Sequence, residues 1–270
     1  MFLRNPSAIV GLLILGAILT VSVLGPWLWP IDPFDIVAAP MTPPLSEDAW
    51  LGTDYLGRDV LASLIHGGRV TLMVGVVAAM LSVSIGITLG ASAGFYGGRV
   101  DAVLMRITEF FQVLPALLFA MVVVTLFSPT LVTVTLAIGV VSWTGTARLT
   151  RAEFMKIRNL EFVRAERAIG ARNARLIWRV ILPNAFPPLV VSATLAVGSA
   201  ILFEAGLSFM GLSDPNLMSW GLMIGSSRPY ILTTWWAVTF PGLTIFVTVL
   251  AVSLIGDGLN DALNPKLRER

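Results

Sequence analysis

Side chains that commonly perform covalent or metal chemistry are scarce in this chain of 270 residues. It has no cysteine, and His66 is its single histidine, so thiolate nucleophiles, disulfides and imidazole-rich metal sites are not expected. The two lysines, Lys156 and Lys266, lie outside any Gly-x-x-x-x-Gly-Lys-Ser/Thr sequence, the P-loop that binds nucleotide phosphates. We therefore predict that the chain is not an enzyme, holds no cofactor or metal, and does not itself hydrolyse ATP.

One acidic residue, Glu204, lies within a long apolar run in the second half of the chain. A carboxylate inside a membrane is costly and usually faces protein or a water-filled cavity. Three roles are open from the residues alone: contact with the amino group of a substrate in a transport pathway, pairing with an arginine of a partner subunit, or a hydrogen bond to a neighbouring helix.

The highest density of charge lies in the stretch EFVRAERAIGARNARLIWRVILPN, residues 161–184, which holds five arginines and two glutamates. Apolar residues recur at helical spacing from Phe162 to Ile169, which predicts a short amphipathic helix. Gly170 follows at the position where a helix commonly ends in a left-handed turn. A second helical segment comes next, and Pro183 with the Pro-Pro pair after it is expected to end that segment before the next span.

A loop built as helix, glycine turn and helix is suited to docking a partner protein. Two other interpretations of its arginines remain open at this point. They fix the orientation of the chain in a membrane, or they bind anionic lipid headgroups.

The elements that position these residues are predicted to cross a membrane. The chain is 56% hydrophobic and 13% charged, whereas a soluble domain has about 25% charged residues. A membrane helix needs about 20 mostly apolar residues, and the first apolar run is too long for a cleaved signal peptide. We predict an all-α integral membrane protein with six spans, at residues 8–29, 70–95, 106–127, 131–149, 187–211 and 235–256.

Positive charge is distributed unevenly about these spans. Six spans place both termini on one side, and the cytoplasmic side of a membrane protein carries an excess of Lys and Arg. Fifteen of the eighteen Lys and Arg residues fall on the side of the termini. The other side keeps only Arg58, Arg69 and Arg228. We therefore predict cytoplasmic termini and a cytoplasmic loop at about 150–186.

The predicted outer segment before the second span also contains a helical pattern. Val60, Leu61, Leu64 and Ile65 share one face, and Gly67-Gly68 is expected to end this helix. The helix either packs into the second span or contacts a substrate or a binding protein. We divide the chain here into two parts, 1–69 with the first span and this outer segment, and 70–270 with a core of five spans.

Glycine and tryptophan positions predict further contacts of the spans. Gly86, Gly90 and Gly94 form a small face in the second span for close helix packing, at a subunit interface or within the chain's own bundle. Tryptophan is enriched where membrane meets water. Interfacial anchors are therefore expected among the tryptophans of the outer loops and span ends: Trp27, Trp29, Trp50, Trp220, Trp235 and Trp236.

Four stretches resemble, in order, the permease subunits of ATP-binding-cassette (ABC) importers, and in particular the C-type permease of the dipeptide, oligopeptide and nickel branch. The charged stretch resembles the EAA motif of that family, with Gly170 as the motif glycine and Val180-Ile181-Leu182-Pro183 as its end. LGTDYLGRDVLASLIHGGRVTL at 51–72, EAGLSFMGL at 204–212 and GDGLNDALNPKLRER at 256–270 resemble other parts of the same family.

The resemblance implies a type I ABC importer permease fold, called MetI-like, in the inner membrane of a bacterium. It implies four protein partners besides membrane lipid: a homologous second permease, two ATP-binding subunits that hold ATP and Mg, and an extracytoplasmic solute-binding protein. No nucleic acid is expected. Peptides are the expected substrate, with nickel or another small solute as the alternative. An ion-driven secondary transporter is the rival of a different class.

The resemblance also implies which residues couple the chain to its ATPases. Arg164-Ala165-Glu166 stands where the family has Glu-Ala-Ala, so the glutamate is displaced by two positions. A bulky residue at position 170 is expected to uncouple ATP hydrolysis from transport or to prevent the ATPases from docking. The coupling residues expected from the resemblance are Glu161, Arg164, Ala165, Glu166, Gly170, Leu182 and Pro183.

Overall fold

The structure, a computed structural model, describes residues 5–263, and its regular elements in that part of the chain are helices. Arg4, Lys266, Arg268 and Arg270, which entered the charge count, lie outside the described residues, as does the end of the stretch 256–270. The helices are α1 Pro6–Leu28, α2 Val60–Tyr96, α3 Gly98–Val113, α4 Ala116–Phe127, α5 Leu131–Ser142, α6 Thr144–Ile157, α7 Glu161–Ala168, α8 Asn173–Arg175, α9 Leu182–Phe209, α10 Trp220–Ser227 and α11 Trp236–Leu263, with a π-helical turn at Leu176–Ile181 and a 3₁₀ turn at Arg228–Tyr230.

Five helical stretches in residues 5–263 are long and apolar enough to cross a membrane, and the number rises to six if the bent pair α3–α4 counts as one crossing. The axis of this pair bends by 85° at Leu114 and Pro115. Leu114 is extended, the conformation that a following proline favours. The prediction of an all-α membrane protein is confirmed, with five crossings, or six when the broken helix of α3 and α4 is counted as the predicted third span.

Two hydrogen bonds show which ends of the helices lie together. Asn5 Nδ2 donates to Asp261 Oδ2 at 2.8 Å, which joins the start of α1 to the end of α11. Arg158 donates to the carbonyl of Gly94 at 2.8 Å, which joins the segment before α7 to the end of α2. Since α1 and α2 run antiparallel, both described chain ends and α7 lie on one side, the loop side. Residues 29–59 and α10 lie on the opposite, cap side.

The packing of α1 also closes the bundle. A Cβ atom on Gly11 of α1 would lie 2.8 Å from the carbonyl oxygen of Ala251 and 3.0 Å from Cβ of Leu254 in α11. Helix α1 therefore packs closely on α11, and glycine makes this distance possible.

The predicted separate helix that ends at Gly67-Gly68 is wrong, because α2 continues through both glycines. Asp59 caps this helix: its side chain accepts a hydrogen bond from the Leu61 amide at 2.8 Å. The glycines provide room for neighbours rather than a helix end, since a Cβ on Gly67 would lie 3.2 Å from the Trp220 ring. The boundary at residue 69 thus falls inside a single helix.

The predicted proline stop is also wrong. Asn173–Phe209 forms one helical stretch through Pro183, Pro187 and Pro188. Pro183 lies in the first turn of α9, directly after the π-helical turn, and a widened turn accommodates the loss of one backbone donor. The loop thus joins the fifth crossing without an interruption.

The glycine face of α2 packs within the chain. A Cβ on Gly86 would lie 2.6 Å from Cβ of Thr146, and one on Gly94 would lie 2.6 Å from Cβ of Phe154, both on α6. Of the two predicted alternatives, the structure shows close packing inside the bundle.

The tryptophan prediction is only partly correct. Trp27 and Trp50 are 75% and 66% exposed, as anchors should be. Trp220 and Trp236 are buried, and their indole N–H groups donate to the carbonyls of Leu64 and Thr53. These two hold the cap side of the bundle together.

Candidate functional site

The entry to the charged loop is fixed by Arg158, which the sequence did not single out. Its guanidinium donates to the carbonyls of Gly94 at 2.8 Å and Phe95 at 3.1 Å. Carbonyls at the end of a helix have no partner within that helix, so they are available to a side-chain donor. Arg158 thereby anchors the segment before α7 to the end of α2.

Helix α7 has one residue that packs inward. Val163 is 1% exposed and joins a cluster of buried apolar residues from α2, α6 and the α8–α9 region. Phe162 and Ile169 belong to the predicted apolar face, yet they are 42% and 79% exposed. The chain itself leaves this face of α7 uncovered on the loop side.

The predicted helix, glycine turn and helix are present. Gly170 has a φ of +88°, in the left-handed region that favours glycine. Its amide donates to the Arg167 carbonyl at 3.0 Å, and the Ala171 amide donates to the Glu166 carbonyl at 3.1 Å. This pair of bonds is the Schellman arrangement that ends a helix and reverses the chain.

Two side-chain contacts hold α7 in position. Glu166 Oε2 lies 3.6 Å from Arg175 Nε, across the glycine turn. The guanidinium of Arg167 lies over the Phe95 ring, 5.8 Å from its centroid. The displaced glutamate of the motif therefore joins α7 to α8 inside the chain.

The structure brings the coupling residues expected from the resemblance into one region on the loop side. Glu161, Arg164 and Ala165 are exposed on α7, and Glu166 is half-buried. Leu182 is half-buried and Pro183 is exposed at the start of α9. Two residues that hold this geometry, Arg158 and Val163, were not predicted from the sequence. Their roles depend on contacts far away in the sequence, so no local pattern reveals them.

Glu204 lies apart from the loop, on α9 near the cap side. It is 3% exposed, and its Oε1 accepts hydrogen bonds from Ser208 at 2.7 Å and Ser219 at 2.8 Å. Ser219 also caps α10 by accepting from the Leu222 amide at 3.1 Å. Glu204 thus connects α9 to α10, and its Oε2 has no hydrogen-bond partner in the described residues.

The loop region offers mechanical connection rather than reaction chemistry. In residues 5–263, no group of three His, Asp or Glu side chains is arranged to hold a metal ion. The short exposed helix α7 is held near the end of α2 by Arg158, which precedes it. After the glycine turn, the continuous helical stretch Asn173–Phe209 forms the fifth crossing. This loop, together with the crossings, defines a helical membrane protein that crosses the bilayer several times.

Comparison with known families makes the class specific. Residues 86–269 match the family described as binding-protein-dependent transport system inner membrane component. Residues 1–44 match the N-terminal transmembrane domain of oligopeptide transport permease C. The chain belongs to the family of inner membrane components of binding-protein-dependent transport systems, which are the permease components of such systems.

Several curated proteins are similar over nearly the whole chain. The di/tripeptide transport system permease protein DppC of Pseudomonas aeruginosa is 42% identical over 278 residues, covering 99% of this chain and 90% of that protein. The dipeptide transport system permease protein DppC of Bacillus subtilis is 41% identical, covering 98% and 83%. The oligopeptide transport system permease protein OppC of Bacillus subtilis is 36% identical, covering 99% and 88%.

A solved structure has the same fold. The MetNI methionine ABC transporter, in an inward-facing conformation, contains a chain that aligns with a TM-score of 0.60 and 18% identity. The alignment covers 75% of this chain and 96% of that chain. The predicted type I importer permease fold is thereby confirmed.

Proposed function

We propose that this permease passes peptides through the membrane, powered by ATP that is hydrolysed on two separate subunits. The observation that carries the coupling part of this proposal is the exposed face of α7. Phe162 and Ile169 are apolar and uncovered, while the adjacent Val163 is buried and fixes the helix to the bundle. An exposed apolar surface of this kind, surrounded by charged residues, is typical of a protein-docking site.

The connections of α7 support a transmission role. When the ATP-binding subunits close, α7 moves with them as a rigid body. Arg158 carries that movement to the end of α2, and the Glu166–Arg175 pair carries it to α8 and the fifth crossing. The residues that contact the ATPase directly are Glu161, Arg164 and Ala165. The angle between α7 and the helical stretch of α8 and α9 is set by Gly170, Leu182 and Pro183.

Charge supports the orientation of the chain. Nine Lys and Arg residues lie between 148 and 179, at the loop side. By the positive-inside rule the loop side faces the cytoplasm, so both termini do as well. Arg164, Arg172 and Arg179 form no ion pair in the described part of the chain, which leaves them available to an ATPase or to anionic lipid.

The names of the similar proteins support peptides as the substrate, since they are di/tripeptide, dipeptide and oligopeptide permeases. A homologous second permease completes the pathway, and an extracytoplasmic binding protein delivers the peptide at the cap side. ATP and Mg belong to the partner ATPases. The same mechanism with nickel or another small solute is the alternative substrate assignment.

The test is purification of the complex from its own membranes, followed by reconstitution in lipid vesicles. We expect a second permease, two ATP-binding subunits and a binding protein to purify with this chain. ATP with a di- or tripeptide should then give peptide uptake into the vesicles. Purification of the chain alone, or uptake driven by an ion gradient without ATP, would overturn the proposal. Uptake of a nickel chelate instead of peptide would change the substrate only.

A further inference from the structure

A recess in the middle of the bundle has no part in the coupling loop. It lies where α2, the α5–α6 junction and α9 meet, and its volume is about 210 Å³. Small residues such as Ala78, Gly145 and Ala196 form much of its wall, and no charged side chain lines it. Five hydroxyl groups line it, those of Ser82, Ser142, Thr146, Ser192 and Ser199.

The hydroxyl of Ser82 is buried without a partner. Ser82 is 1% exposed, and its Oγ makes no hydrogen bond within residues 5–263. A serine inside a helix can bond to the carbonyl four residues earlier, and in the same helix Thr88 and Ser92 do so at 2.8 Å. Ser82 does not use this option. Buried polar groups are nearly always paired, so this hydroxyl indicates a ligand or water in the recess.

The hydroxyls at the mouth of the recess are exposed in the middle of apolar spans. Ser142 on α5 and Ser199 on α9 are both exposed, and Ser192, about two helical turns before Ser199 on α9, is half-buried. A polar surface at this depth faces protein or a water-lined cavity rather than lipid tails. The recess therefore opens towards something other than the lipid.

We propose that this hydroxyl-lined recess binds the main-chain amide groups of a peptide during transport. A hydroxyl both donates and accepts, so the same five groups can pair with peptide N–H and C=O groups. The absence of charge from the lining allows the side chains of the peptide to vary. This inference rests on the proposed function, since it names the contact surface of the same permease.

A helix of the second permease is the competing occupant, because small residues also permit close helix packing. The shape of the recess favours a peptide. A helix packs against small residues that leave no cavity between the two surfaces. Here the small residues surround a cavity, and an unpaired hydroxyl lies at its buried wall. An extended peptide presents unpaired amide groups to such a wall, and a helix does not.

The chain has no cysteine, so a single introduced cysteine reports on one position. The complete complex carrying Ser199→Cys would be reconstituted and treated with a small cationic methanethiosulfonate reagent. Mass spectrometry then measures the label on this chain separately from the other subunits. We expect labelling, and at least a threefold slower rate in the presence of saturating trialanine. Leu13→Cys, at a 68% exposed position of α1, is the control and should not be labelled, because lipid covers it.

The outcomes distinguish a peptide in the recess from a helix of the second permease. Labelling of Ser199→Cys in the isolated chain but not in the assembled complex would show that a partner helix covers the recess, and would overturn the proposal. Labelling that trialanine does not slow would also overturn it. Peptide uptake by the unsubstituted complex is measured first. If that uptake is absent, the proposed function fails; if it is present without protection at position 199, only the recess assignment fails.

A second pair of variants tests Ser82 without a change of volume. Ser82→Ala should raise the KM for trialanine uptake by about threefold to tenfold, the effect of one lost hydrogen bond. The thermal stability of the complex should stay equal or increase, because an unpaired buried hydroxyl is removed. Ser84→Ala, at an exposed position two residues further along α2, should leave the KM unchanged. Equal KM values for the two variants would count against the recess.

Discussion

Glu166 and Arg175 face each other across the left-handed turn at Gly170, with Oε2 of the glutamate 3.6 Å from Nε of the arginine. Both side chains are partly exposed, and an exposed pair of this kind contributes only about 0–1 kcal/mol to stability. Its importance is therefore geometric. It fixes the angle between α7, which a partner contacts, and α8, which continues into a membrane crossing.

Replacement of Glu166 with Gln should lower the amount of peptide transported per ATP hydrolysed, while the complex assembles and unfolds normally. The charge reversal Glu166→Arg with Arg175→Glu should restore the ratio. The matched control is Glu153→Gln, which breaks the Glu153–Lys156 pair of the same 3.6 Å length within α6. Uptake and ATP hydrolysis measured together in vesicles give the ratio, and an equal loss for both variants would contradict a coupling role.

Gly170→Ala should reduce coupling because an L-residue in the left-handed region costs about 1–2 kcal/mol. Within residues 5–263, no atom beyond the two adjacent residues lies within 4 Å of a Cβ at this position, so the cost comes from the backbone and not from a clash. Gly170→Asn should retain more activity, since Asn tolerates this conformation. Gly242→Ala, with equal space around it and a helical backbone, is the control. ATPase activity of the reconstituted complex with and without peptide measures the difference.

Val163 and Phe162 are neighbours on α7 with opposite surroundings. Val163→Ala should loosen α7 from the bundle and cost about 1.5–3 kcal/mol, since Val163 is fully buried. Phe162→Ala should leave the stability of this chain unchanged and weaken its binding to the ATPases, because the Phe162 ring is exposed. Thermal unfolding and co-purification of the ATPases would be measured for both variants. ATPase binding that is unaffected by Phe162→Ala would place the docking surface elsewhere.

Glu204→Gln distinguishes a structural role from a substrate contact. The amide oxygen can still accept from Ser208 and Ser219, so we expect assembly and peptide uptake close to those of the unsubstituted protein. Glu204→Ala should instead cost about 2–3 kcal/mol, because two buried hydroxyls lose their acceptor. The measurements are the yield of assembled complex and the initial rate of uptake. Normal assembly with lost uptake in Glu204→Gln would favour the substrate role.

The sequence predicted the five long apolar crossings because a run of about 20 apolar residues has few alternatives in a membrane. It also predicted the Gly170 turn, since a left-handed backbone there needs glycine. Helix ends were predicted less well, because glycine and proline were interpreted as stops. At Gly67 the reason for glycine is the nearby Trp220 ring, and that contact between residues far apart in the chain is invisible in the local pattern.

The position of α7 was predicted from the sequence, but the side of α7 that packs on the bundle was not. The apolar spacing from Phe162 to Ile169 correctly indicated a helix, yet the residue that packs inward is Val163. A pattern of apolar residues gives a face but does not say whether the same chain or a partner covers it. The recess around Ser82 was not predicted, because its hydroxyls come from four helices and no single segment contains the pattern.

The close contact between α1 and α11 has a consequence for biogenesis. Gly11 is synthesised about 240 residues before its neighbours Ala251 and Leu254. At a synthesis rate of about 5–20 residues per second, the face of α1 that packs on α11 remains without this neighbour for roughly 10–50 s. During that interval the insertion machinery or lipid must cover this face of α1, so the contact between α1 and α11 forms only after α11 has left the ribosome.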